Sequence, residues 1–186
     1  MTKDEITRIA QKLRNTYHVT EPEKLCQILD IWYDYMPMGT ETDCIKGFIN
    51  RSNRCYCIII NDDLPEELKR IIMFHEIGHY ALKHMSKTIC TFKDYGIYNV
   101  ISDTENEANL FVAEYLLDSE ETMQTLRETN SFFQTAAILN VPPEILDYKW
   151  RMLSYYKRLA GQSPIQVNSD CLKRIQISGT SDSNIY

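Results

Sequence analysis

The sequence predicts an α+β fold: a small antiparallel or mixed sheet between about residues 32 and 60, helices on both sides of it, and a helical segment toward the C-terminal end. Three observations predict it. Segments 32–36, 44–50 and 55–60 are rich in aromatic and β-branched residues and are bounded by turn formers. The chain before and after them carries apolar residues at helical spacing. One of those helices holds the stretch His75-Glu76-Ile77-Gly78-His79, whose two histidines need a common helical face to act together.

Taken in order, residues 3–16 form an amphipathic helix with Ile6, Ile9, Ala10 and Leu13 on one stripe. A second helix starts near Glu23, with Pro22 as a first-turn residue. Residues 32–36 read as a strand that ends at Pro37 and Gly39. Residues 44–50 and 55–60 flank Arg51-Ser52-Asn53-Arg54, a hairpin signal, and Cys55 and Cys57 read as packing residues of its second arm. An exposed edge of such a sheet suits the capture of an extended peptide through backbone hydrogen bonds. The next helix opens at Asp63 and Glu66, a capping-box pair, with Pro65 in the first turn. It is predicted to carry Leu68, Ile71, Ile72, His75, Gly78, His79 and Leu82 on one stripe. A further helix is expected from an Asp103 cap to Leu117, followed by a short helix, a turn and a helix entered through Pro142 and Pro143. From Gly161 the chain has few apolar anchors and reads as a tail.

Histidines four apart on a helix project one turn above the other, the spacing two imidazoles need to share one zinc ion at about 2.0–2.1 Å each. A glutamate beside the first of them, Glu76, is placed to act as general base toward a water. Two core histidines bonded to backbone groups are the alternative, but two imidazoles and a carboxylate on one buried stripe would all need partners. Gly78 weakens a helix interior by about 1 kcal/mol relative to alanine, and its use there is to let another element approach beneath the metal.

A zinc site needs a third ligand. Glu105 shares a helical face with Ala108, Asn109, Val112 and Leu116, with Ala108 small enough for close helix packing and Asn109 placed to hydrogen-bond a ligand. Glu107 is the competitor, on the side of Leu110 and Phe111. Glu105 is preferred.

His75-Glu76-Ile77-Gly78-His79-Tyr80, followed by Glu105-x-Glu107-Ala108-Asn109-x-Phe111-x-Ala113-x-x-Leu116-Leu117, resembles the ImmA/IrrE metallo-endopeptidases over about residues 20–158. The resemblance implies a zincin-like core with His75 and His79 as zinc ligands, Glu105 as the third and Glu76 as catalytic base. It further implies a protein substrate, a helix-turn-helix transcriptional repressor, and a role as an antirepressor protease of a mobile element or stress-response locus. The expected division is a catalytic region over 1–120 that includes the N-terminal helices, a helical segment over 121–160 with the rhythm of a helix-turn-helix, and a loosely ordered tail over 161–186.

The chain has 186 residues, a 44% hydrophobic share and a net charge of −6. That size suits a small enzyme, and that charge argues against nonspecific nucleic-acid binding. The N-terminal residues lack the apolar core of a signal peptide, no run approaches a membrane span, and the six cysteines show no C-x-x-C spacing. A cytoplasmic protein with free thiols is expected. Lys149, Arg151, Lys157 and Arg158 keep a DNA-binding reading of the 121–160 segment open, although a plain helical hairpin is preferred. A DNA-binding regulator with a residual zinc site and a non-proteolytic antirepressor or antitoxin-type binder are the alternatives to the peptidase. Glu76 favours the peptidase, since a structural zinc site has no use for it. His18, between two helices, and His84, about half a turn off the ligand face and near a helix end, are read as ordinary surface residues. Tyr95 or Tyr98 could donate to an oxyanion, with plain packing preferred for each.

Overall fold

Thr2 opens helix α1 (Lys3–Tyr17): its hydroxyl accepts from the Glu5 amide and the Glu5 carboxylate accepts from the Thr2 amide, a complete capping box. The computed structural model describes residues 1–41, 44–53, 55–84, 97–165 and 171–174. As its stripe requires, α1 buries Ile6 and Ala10 and ends at His18, which is exposed and adopts a left-handed φ of 51°. A short helix α2 (Pro22–Ile28) follows, with proline in its first turn.

Strands β1 (Ile31–Met36), β2 (Gly47–Ser52) and β3 (Cys55–Asn61) form a mixed sheet in the order β1-β3-β2. β1 runs parallel to β3 with Tyr33 opposite Ile58, and β2 runs antiparallel to it with Ile49 opposite Ile58. The hairpin is tighter than expected: Ser52 pairs with Cys55, so two residues make the turn, and Asn53 takes the positive φ of 47° that such turns demand. Cys57 is half-buried, as packing predicts, whereas Cys55 is exposed beside the turn. At the far end of β3, Asn61 is fully buried and ties down the preceding loop. Its amide donates to Gly39 O (2.8 Å) and Ile45 O (3.0 Å), and its oxygen accepts from the Met38 and Asp63 amides.

Helix α3 (Glu66–Ala81) packs against this sheet. Its N-terminus corrects the expected capping box: Pro65 is the cap residue, and the Asp63 carboxylate accepts from Gly39 N at 2.8 Å. Glu66 pairs with Lys69. Gly47 permits the close packing of β2 on α3, because a Cβ there would lie 2.7 Å from Ile72 Cγ2. Helix α4 (Ile97–Leu116) crosses α3 at Gly78, where a Cβ would stand 3.0 Å from Phe111 Cδ1 and 3.4 Å from Ala108 O. The close approach expected of Gly78 is therefore made by α4. That helix starts six residues before Asp103, so Asp103 is an exposed interior residue and not its cap.

Asp118 caps α5 (Ser119–Thr129) by accepting from the Glu120 and Glu121 amides. Helices α6 (Phe132–Ile138) and α7 (Pro143–Tyr155) follow the expected helix, turn, helix pattern. α7 is not a solvent-facing basic helix. Ile145, Leu146, Tyr148 and Met152 are buried in the core shared with α4, and Lys149, 1% exposed, bonds Glu114 at 2.8 Å. In the stretch expected as a loosely ordered tail, α8 (Cys171–Arg174) places Cys171 and Leu172 in the same core. Burial pushes the Cys171 thiol up to about 12. Among the described residues no helix is long and apolar enough to cross a membrane.

Candidate metal centre

α3 is buried on nearly every side: Met73, Phe74 and Ile77 have no exposed surface, so the side chains of its last two turns face packed neighbours. His75 and Glu76 are 5% and 7% exposed, and His79 is half-buried. The two histidines lie at the end of the helix where α4 crosses, and the Gly78 contact brings the first described turns of α4 over them. Glu105 stands there. The two imidazoles and this carboxylate converge: His75 Nε2 is 3.0 Å from His79 Nε2 and 3.2 Å from Glu105 Oε2, and His79 Nε2 is 3.5 Å from Glu105 Oε1.

These separations test whether the residues suit a metal. Ligand atoms at about 2.0–2.1 Å from a tetrahedral ion stand about 3.3–3.4 Å apart. The three observed distances bracket that value, and the donors together lie within 4.8 Å of one another. Two imidazole nitrogens and a carboxylate are a borderline-to-hard donor set that suits divalent zinc and its neighbours. His75, His79 and Glu105 could thus hold one ion.

Glu107 lies apart from that trio. Its Oε2 is 2.9 Å from His84 Nε2, and its other oxygen meets the N-terminal amine of Met1. Burial alone would raise its pKa, but the hydrogen bonds from the amine and from His84 hold the carboxyl below the usual range. Asn109 is fully buried one turn beyond Glu105. Its amide donates to Tyr148 Oη (3.3 Å) and Cys171 Sγ (3.7 Å), tying α4 to α7 and α8. The Tyr148 hydroxyl donates to Asn106 Oδ1 at 2.7 Å, and burial pushes this phenol up to about 12.

His84 corrects the surface reading. It is 2% exposed, and its Nδ1 lies 2.9 Å from His79 Nδ1. The helix does not continue through it: α3 stops at Ala81, Leu82 N bonds Gly78 O, and Lys83 takes a left-handed φ of 59°. That turn swings His84 back toward the ligand face. The helix ends there without glycine or proline, so the residue types around Lys83 carry no local signal of the change in phase. Tyr95 lies outside the described residues, as does the side chain of Tyr98, and Cys90 does too.

The model of the peptidase M78 family, the IrrE N-terminal-like domain, matches residues 26–151. The chain belongs to that family. Its α+β fold is that of a zincin-like M78 domain. The matched stretch contains both histidines, Glu76, Glu105, His84 and Glu107, so the convergence described above lies within the M78 domain. The chain is also similar to the uncharacterized immunity region protein 2 of Bacillus phage phi105. The two are 28% identical over 145 residues, which cover 77% of this chain and 88% of that protein.

Proposed function

We propose that this M78 protein is a cytoplasmic zinc-dependent endopeptidase that cleaves a regulatory protein, a helix-turn-helix repressor. The observation that carries the reading is the convergence of His75, His79 and Glu105 on one point with a buried glutamate, Glu76, between the two histidines. Membership of a peptidase family supports the reaction class, and the immunity-region name of the phage relative supports a regulatory target.

His75, His79 and Glu105 would hold the zinc ion. When bound, zinc supplies Lewis-acid chemistry, polarising a peptide carbonyl and making a water more acidic. Glu76 is the base that takes the water's proton and then delivers it to the leaving amine. The packing of α3 and α4 keeps His75 and Glu76 almost wholly from solvent, which strengthens every charge interaction at the site. Among the described residues β1 and β2 are the outer strands of the sheet, and an extended peptide could pair with such an edge.

The DNA-binding alternative loses its main support. Lys149 is buried against Glu114, Arg151 pairs with Asp147, and Arg158 pairs with Glu120. Of these cations Lys149 is withdrawn from the surface altogether, while the Arg158 pair lies at the surface with the arginine side chain 49% exposed.

The deciding experiment incubates the purified protein with purified helix-turn-helix repressors encoded beside it, with and without zinc. A cut repressor only in the zinc arm is expected. Intact repressor that co-purifies with the protein would replace proteolysis by sequestration. The ligand assignment is tested by metal content. Glu105→Ala is expected to leave the protein without stoichiometric zinc, and His79→Ala likewise. Full occupancy in either variant would defeat the assignment.

A further inference from the structure

His79 touches two sets of partners with its two nitrogens. Nε2 faces His75 and Glu105, and Nδ1 faces His84 Nδ1 at 2.9 Å, the rings meeting edge-on with centroids 5.0 Å apart. His84 in turn places Nε2 2.9 Å from Glu107 Oε2. We propose that His84 and Glu107 are positioning residues for the metal-binding imidazole: in series, they fix the tautomer and ring plane of His79 so that its Nε2 lone pair points at His75 and Glu105. The proposal rests on the reading above, that His75, His79 and Glu105 bind zinc.

Proton counting supports the direction of the relay. A carboxylate accepts only, so the Glu107–His84 contact takes its proton from His84 Nε2. With one proton on each ring, His84 Nδ1 then carries a lone pair and accepts from His79 Nδ1–H. The remaining nitrogen of His79, Nε2, is left as the acceptor. That is the nitrogen aimed at the other two donors. An imidazole that binds metal generally gives its other N–H to a carboxylate or carbonyl, which orients the ring and raises its basicity. Here a second imidazole stands between the ligand and the carboxylate.

The backbone makes this arrangement possible. The left-handed Lys83 returns His84 to the ligand face, and its 2% exposure keeps water from competing for the Nδ1 contact. Glu105 and Glu107, two apart on α4, point to different sides of the helix. One therefore reaches His79 directly at Nε2, while the other reaches it through His84 at Nδ1. The two glutamates that competed for a single role each have one.

The test measures zinc affinity by competition with a chromogenic chelator for the wild type, His84→Ala, Glu107→Ala and the double variant. The ligand-field spectrum of the cobalt-loaded proteins is recorded alongside. Each single variant is expected to bind zinc about 10–100-fold more weakly and to shift the cobalt spectrum. The double variant is expected to be no weaker than the worse single one, since the two residues act in series. Wild-type affinity and an unchanged cobalt spectrum in both singles would overturn the proposal, as would losses that multiply in the double variant. Should His84→Ala fail to fold, Glu107→Ala decides alone, because Glu107 lies nearer the surface with 15% side-chain exposure. A wild type that takes up no zinc defeats the metal reading and this proposal together. A wild type that binds zinc beside unaffected variants defeats only this one.

Discussion

Glu76→Gln is expected to lower peptide-bond cleavage by about 10²–10⁴-fold, the usual contribution of a positioned general base, while leaving zinc content and fold unchanged. Glutamine keeps the size of the side chain and most of its hydrogen bonding, and removes only the capacity to take a proton. Because Glu76 is 7% exposed on a helix packed on nearly every side, a smaller residue would add a cavity to the loss of the base, and glutamine avoids that confusion. The assay follows the repressor by gel after incubation with wild type or variant, beside a binding measurement on the same pair. Cleavage lost with binding and zinc retained is the expected result. Equal cleavage by both proteins would remove Glu76 from the chemistry. Equal relief of repression in cells, with the repressor intact, would mean that the protein acts by holding its target.

The second large effect concerns stability. Lys149 and Glu114, 1% and 2% exposed, form an ion pair at 2.8 Å between α7 and α4, and Gln11 Nε2 donates to the other Glu114 oxygen at 3.4 Å. Removing one partner of such a pair strands a charge in the core. Lys149→Ala is therefore expected to cost about 3–5 kcal/mol in urea unfolding. Replacing both residues, as in Lys149→Met with Glu114→Leu, takes the two charges out together and should recover most of that loss. If Lys149→Ala unfolds within about 1 kcal/mol of wild type, water reaches the pair and α7 is less firmly docked on α4 than its burial implies.

What could be read from the chain beforehand was whatever depends on local periodicity. The stripe through Leu68, Ile72 and His75 placed the two histidines on one helix, and the face through Glu105, Ala108 and Asn109 pointed to the carboxylate that stands 3.2 Å from His75. The hairpin and the preceding strand were legible for the same reason, since alternation and turn residues are local signals. Features set by tertiary partners were not. Asp63 had the chemistry of a helix cap, but Gly39 N from a distant loop claimed its carboxylate. Lys149 kept a DNA-binding reading open, and only the fold shows Glu114 on another helix as its buried partner. His84 was misplaced because one left-handed residue, Lys83, resets the helical phase, and nothing in a lysine announces a positive φ.

The crossing of α4 over α3 at Gly78 has a thermodynamic corollary. On the proposed ligand set, two donors ride on one helix and the third on the other, so ion uptake and helix docking share a single equilibrium. Whatever pries the helices apart weakens ion affinity, and whatever ion is present adds to the melting temperature in proportion to the logarithm of its concentration. A bulky substitution at Gly78 makes no contact with the ion, yet it would register first as a protein that loses its metal to a weaker chelator than the wild type does.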